Sequence, residues 1–171
     1  MATTTPIKIS EQARIIQSTL DQWASDPTRG GTAKVVPNLR QLWNQSAIDS
    51  QSLRILICFG GSKRRGNFTV ANATHREDRT WKIAVTKGVG YVAERGDTLM
   101  EQTGNTSPFF DDVETVRDIC RWIPNISAEA PANDYEGIEP MQLGDVVMDG
   151  YLITFSTAND VPQQTSTNPP V

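Results

Sequence analysis

Apolar residues recur along the chain with two different spacings, which predict helices and strands in the order helix, strands, helix, strands. A spacing of three to four residues predicts one helix of about four turns that starts near Ile9 and a second helix between Ser107 and Pro124. The two apolar stripes comprise Ile9, Ala13, Ile16, Leu20 and Trp23 in the first helix, and Phe109, Val113, Val116, Cys120 and Ile123 in the second.

Helix-ending residues support both assignments. Ser10 is a suitable N-cap, and Glu11 then lies in the first turn, where a negative charge interacts favourably with the helix dipole. Ser107 is expected to cap the second helix, with Pro108 at its first position and Pro124 as its stop.

The next signal is a short apolar run at residues 53–59, which predicts a central strand buried on both faces. Residues 60–67 contain glycines and charges, and are expected to form a hairpin connection to a second strand that begins at 68–71. Residues 32–52 are ambiguous: Val35-Val36 can form a short strand, and Pro37 can open a short helix.

Alternating residues predict the remaining strands. Residues 80–86 place Trp81 on one face and Lys82 on the other, and residues 146–157 contain a strong final strand. Between them, 137–143 is a weaker strand, interrupted by Pro140 and therefore expected at an edge or turn.

These elements predict the α+β class: a single small domain with an antiparallel or mixed sheet and helices packed on one face. The domain is expected to span residues 9–157. Residues 1–8 are predicted to be a flexible N-terminus, and 158–171, rich in Pro, Thr, Gln, Asn and Ser, a flexible polar tail.

Composition excludes several classes of protein. No apolar run approaches the roughly 18 residues of a membrane span, and the N-terminus does not resemble a secretory signal. Cys58 and Cys120 lie in apolar settings and are expected to be buried thiols in a reducing cytoplasm. The chain has too few Cys and His residues for a zinc site, and we expect neither a metal nor a cofactor.

Charge is distributed unevenly along the chain. Residues 1–85 carry twelve Lys and Arg against six Asp and Glu, a net +6, whereas residues 86–171 carry four against fourteen, a net −10. Folding can interleave the two halves, or it can create a basic face and an acidic face such as a head-to-tail ring contact would use. Sequence alone leaves both open.

No residue pattern indicates catalysis. His75 lies in a polar segment beside Glu77 and Asp78, without a recognisable nucleophile, and is expected to be a solvated loop histidine. No nucleophile elbow is present, and the acids Asp111 and Asp112 are explained by the helix dipole. We therefore expect a protein that is not an enzyme.

Two groups of residues are candidates for contacts with partners. The basic run Lys63, Arg64 and Arg65 is either a solvated hairpin tip or a contact to DNA phosphates or to a partner. Trp122 lies away from the centre of its helix's apolar stripe, so it either covers the sheet edge or anchors a subunit interface. The charged residues of the same outer surface, Glu114, Arg117 and Arg121, are candidates for that interface.

Four segments resemble a known family when taken in order: WKIAVTKGVG, PFFDDVETVRDICR, YEGIEP and MDGYLITFST. Their order and spacing over residues 80–157 are similar to those of the tail-terminator (tail-completion, or neck) proteins of long-tailed bacteriophages. Residues 25–50 and the run 63–65 have no counterpart in this pattern.

The resemblance implies a structural virion protein, assembled in the host cytoplasm, that forms a hexameric ring at the tail neck. Such a ring ends the tail tube and joins it to the head, so its partners would be further copies, the tail-tube protein and a head–tail connector or adaptor. DNA would pass through the lumen. Alternative readings are a connector, a tail-tube subunit, or a small nucleic-acid-binding module that uses residues 60–67.

Overall fold

In the part of the chain that the structure describes, five strands form one sheet and helices pack against it. The computed structural model describes residues 7–28, 33–42, 53–65, 74–87, 109–123, 134–143 and 146–162. The elements in chain order are α1 (Ile9–Ala24), β1 (Ala33–Val35), α2 (Leu39–Leu42), β2 (Leu53–Arg65), β3 (Thr74–Lys87), α3 (Phe109–Trp122), β4 (Asp134–Leu143) and β5 (Val146–Pro162).

The five strands lie in the order β1-β2-β3-β5-β4. β1 pairs with β2 in parallel, and every other neighbouring pair is antiparallel. The α+β class is confirmed: the sheet is mixed, and α1 and α3 pack against it as parts of one core. β3 occupies the centre of the sheet. β2, which the sequence predicts as the central strand, is second from one edge.

The main core lies between one face of the sheet and the helices α1 and α3. Alternate residues of the three long strands point to it because side chains change face at every residue of a strand. The fully buried members include Ile16 and Leu20 from α1, Val116 from α3, and Ile83 and Ile153 from the central strands. Both predicted apolar stripes therefore face this core, although Ile9, at the start of the first, is 39% exposed.

A smaller apolar cluster lies on the opposite face of the sheet. Leu42 of α2 and Val36 pack there with Leu56 and Ala84, all at most 6% exposed. The short strand and the short helix predicted within residues 32–52 are thus both present, as β1 and α2.

The start of α1 differs from the prediction. The helix begins at Ile9, and the N-cap is Lys8, whose carbonyl accepts the backbone N–H groups of Glu11 and Gln12. Ser10 is inside the first turn and therefore does not cap the helix. The cap predicted at Ser107 lies outside the described residues.

The long strands extend further than the sequence predicts. β2 continues to Arg65 and β3 begins at Thr74, so residues 60–65 and 74–79 are strand and not loop. β5 continues to Pro162, five residues into the segment expected as a flexible tail. Continuous pairing among β2, β3 and β5 provides backbone partners for these polar segments, which offsets their low intrinsic strand preference.

Gly150 occupies a position where β5 packs closely against β3. A Cβ built there would lie 2.7 Å from the Val85 carbonyl oxygen and 2.7 Å from Thr86 Cγ2, and the carbonyl belongs to the sheet backbone. We predict that Gly150→Ala lowers the free energy of unfolding by about 1–3 kcal/mol, the usual cost of overpacking.

The matched control is Gly137→Ala, since a Cβ at Gly137 has no atom within 4 Å. Urea unfolding of both variants tests the prediction. Equal stabilities for the two variants would contradict it.

Candidate assembly surfaces

An apolar groove lies beside β2 where β1 leaves the sheet. It has a volume of about 640 Å³ and is bounded by the first half of α1, the end of β1 and residues of β2. Two of its lining residues are large exposed hydrophobics: Ile9 at 39% and Phe59 at 42% exposure. An apolar lining that remains accessible to water is typical of a surface that binds another protein.

Trp81 forms part of the groove wall. Its side chain is 1% exposed, and its ring centroid lies 5.2 Å from that of Phe59. The Trp81 Nε1–H has no acceptor among the described residues.

The groove runs along a strand edge. β1 pairs only with Leu53, Arg54 and Ile55, and in the described part of the chain no strand pairs with the outer edge of residues 56–65. A bulge at Phe59/Gly61 interrupts the β2–β3 register, and Gly61 has a φ of 117°, a conformation that favours glycine. Such an edge presents backbone groups to a further strand.

The basic run lies at the far end of this edge and not on a hairpin tip. Lys63 is paired in register with Asp78, and Arg64 with Glu77, on β3. Both cations are exposed, and each faces an acidic position on the neighbouring strand. The prediction of a solvated loop at 60–67 is therefore wrong for 60–65, and the opposite charges reduce the local positive field.

The other edge of the sheet is acidic. β4 carries Asp134, Glu136 and Glu139 and no basic residue, and the side chains of Glu136 and Glu139 are exposed. Ser156 Oγ donates a hydrogen bond to Glu136 Oε1. β4 pairs with β5 only, among the described strands, so its outer edge is also available.

A buried polar network fixes the first turn of α1 over the ends of β3 and β5. Arg79 Nη1 donates to Gln12 Oε1 at 2.9 Å and to the Ile7 carbonyl at 2.7 Å, and Gln12 Nε2 donates to Asn159 Oδ1. Glu77 Oε1 lies 3.2 Å from Arg79 Nε and balances the charge. Gln12, Arg79 and Asn159 are all at least nine-tenths buried, so their polar groups stabilise the fold only as a set.

The outer surface of α3 contains the residues proposed for a subunit interface. Trp122 is 60% exposed, with the Arg121 guanidinium 5.9 Å from its ring centroid. Arg117 bonds to Asp118 at 2.8 Å and to Glu114 at 3.5 Å. Trp122 does not cover the core. The two ion pairs of Arg117 are accessible to solvent and lie within one helix, so they add little stability.

The two cysteines differ in burial. Both are free thiols, Cys120 buried in the main core and Cys58 half-buried on the opposite face. Burial raises the pKa of Cys120 from 9.0 to about 12. Desolvation also raises the pKa of Cys58, opposed by the nearby Lys82 charge, and both thiols are therefore poor nucleophiles at neutral pH.

The described residues contain no cluster of three or more His, Cys, Asp and Glu arranged to hold a metal ion. The backbone of His75 lies in β3, so the loop expected there is wrong. No helix in the described ranges is long and apolar enough to cross a membrane.

Comparison of the chain with family models and with curated proteins finds no match in either case.

Sequence reasoning found the basic run and Trp122 but missed the groove and the polar network. The sequence predicts Ile9 in a helix stripe and Phe59 in a strand buried on both faces, whereas both side chains are exposed. Gln12 and Arg79 belong to polar segments and meet only across the fold. A glutamine at a core-facing helical position was the one available signal for the network.

Arg79→Met is predicted to lower the free energy of unfolding by about 2–4 kcal/mol, because it leaves Gln12 and Glu77 without their buried partner. Arg121→Met removes a similar side chain from an exposed site and should change stability by less than about 0.5 kcal/mol. Chemical denaturation compares the two variants. A loss confined to Arg121→Met, or no loss in either, would refute the role of the network.

A pH dependence is expected from Cys120. Its folded pKa lies above the unfolded value, so folding favours the protonated thiol. The contribution of this thiol to the free energy of unfolding is fully present below pH 9.0 and declines as the pH rises toward about 12. Urea titrations at about pH 8 and about pH 10.5 measure this change. Between these pH values the free energy of unfolding should fall less for Cys120→Ala than for the unchanged protein. An identical slope in both would contradict the assignment.

Proposed function

We propose that this protein is a structural subunit of a tailed bacteriophage virion, which assembles into a ring that ends the tail tube and joins the tail to the head. The observation that carries the proposal is the pair of unlike sheet edges. One is basic and borders an apolar groove, and the other is acidic.

Unlike edges suit a head-to-tail contact. When one patch of a subunit binds a different patch of the next, the assembly is heterologous, and it becomes a closed ring if the rotation per subunit closes. The basic and acidic edges agree with the second of the two readings of the uneven charge along the chain. Opposite charges also bring subunits together in one orientation.

The ordered sequence resemblance over residues 80–157 supports the more specific proposal of a tail-terminator protein. The described parts of its four segments lie on β3, α3, β4 and β5, which are three neighbouring strands and a helix packed against them. The ring is proposed to be hexameric and to contact the tail-tube protein on one face and a head–tail connector or adaptor on the other. DNA would pass through its lumen without base-specific contacts.

Purified protein examined by native mass spectrometry and negative-stain microscopy tests this function. We expect one closed ring species that binds the end of isolated tail tubes and does not grow further. A strictly monomeric protein with no affinity for tail tubes would refute the proposal, and long filaments of the protein alone would identify a tube subunit instead.

DNA retention separates the ring from a nucleic-acid-binding module. Because acids face Lys63 and Arg64 across the sheet, replacing Lys63, Arg64 and Arg65 with Ala should reduce DNA binding by less than about tenfold at moderate salt. A steep, salt-dependent loss, measured by filter binding, would instead favour the nucleic-acid-binding module.

A further inference from the structure

We infer that the ring contact is a strand-to-strand junction, in which the outer edge of β4 of one copy pairs antiparallel with residues 56–65 of β2 in the next copy. The inference rests on the proposed ring and specifies its interface. The two sheets would become one sheet across the junction, with the helices of both copies on the same side.

The topology sets the direction of the pairing. β2, β3, β5 and β4 are successive antiparallel neighbours, so β4 runs opposite to β2 within one subunit. A head-to-tail repeat that keeps the helices on one side preserves strand direction from copy to copy. The β4 of one copy therefore meets the β2 of the next in antiparallel orientation.

The lengths of the two edges agree. β4 has 10 residues. β2 has 13 residues, of which β1 pairs with three, which leaves residues 56–65 for another strand. β1 already pairs with residues 53–55, so an incoming strand can pair only with the stretch of β2 that ends at Arg65.

Charge agrees with this register. With the ends of the two strands aligned, Asp134 is opposite Arg65, and Glu136, the extra residue of a bulge in β4, comes level with Lys63. A parallel alignment over the same stretch would put Asp134 opposite Leu56 and Glu136 opposite Cys58, at the apolar end of the edge. Only the antiparallel alignment brings unlike charges together.

The second half of β4 suits the apolar part of the edge. In the antiparallel register Pro140 and Met141 come level with Phe59 and the groove, where apolar contacts exclude water. Pro140 has no backbone N–H, so it removes one donor from the edge there. The loss is tolerable because burial of Ile9 and Phe59 adds stability that does not depend on hydrogen bonds.

Charge reversal tests the junction. Lys63→Glu and Glu136→Lys should each raise the subunit dissociation constant by about tenfold or more, because each places like charges opposite one another. The double variant should regain most of the lost affinity, because both reversed charges meet at every junction of the ring.

The matched controls are Lys34→Glu and Asp26→Lys, at exposed positions outside both the proposed junction and the candidate interface on α3. Sedimentation velocity measures all variants, and circular dichroism confirms that each is folded. If the unchanged protein forms rings that neither single reversal weakens, or if the double variant is no better than the singles, the junction is wrong and the ring proposal survives. If the unchanged protein forms no ring, the proposed function itself fails.

Hydrogen exchange gives a readout that does not depend on charge. Backbone amides within residues 56–65 and 134–139 should exchange at least about tenfold more slowly in the ring than in dissociated subunits, because they gain partners. Slower exchange confined to residues around Trp122 would overturn the strand junction and place the interface on α3.

Discussion

The fold depends on the burial of one face of the two central strands. Trp81, Ile83 and Val85 of β3 lie beside Ile153 and Phe155 of β5, and all five are nearly inaccessible to water. Both long helices pack on this face, because each has a single apolar stripe and the opposite face offers a much smaller apolar cluster. This leaves both outer edges of the sheet without a covering helix in the described part of the chain.

The buried polar network then decides where the groove lies. Arg79 and Asn159 hold Gln12, and with it the first turn of α1, above the ends of the central strands. Ile9 sits in that turn, beside the edge of β2 rather than over the middle of the sheet. These directional hydrogen bonds thus hold the helix that forms one wall of the groove.

The sequence predicts the fold class and the core because both follow from local periodicity. The stripe of α3 and the alternation around Ile83 need no knowledge of distant residues. The strand ends at Arg65 and Pro162 could not be predicted, because these polar segments become strand only through pairing with β3. The groove and the network involve residues far apart in sequence, and no local pattern in a single chain reports such contacts.

The charges on the two edges have a second consequence for assembly. An edge can pair with its own copy about a two-fold axis, which would end growth at a dimer. A two-fold pairing of residues 56–65 would place Lys63 level with Cys58 and Arg64 level with Ile57, in the apolar part of the edge. A two-fold pairing of β4 would place Glu136 level with Met141. Neither dimer brings unlike charges together, so only the head-to-tail contact gains electrostatic attraction. A sheet that twists steadily from copy to copy can then close, and the twist of each junction sets the number of subunits.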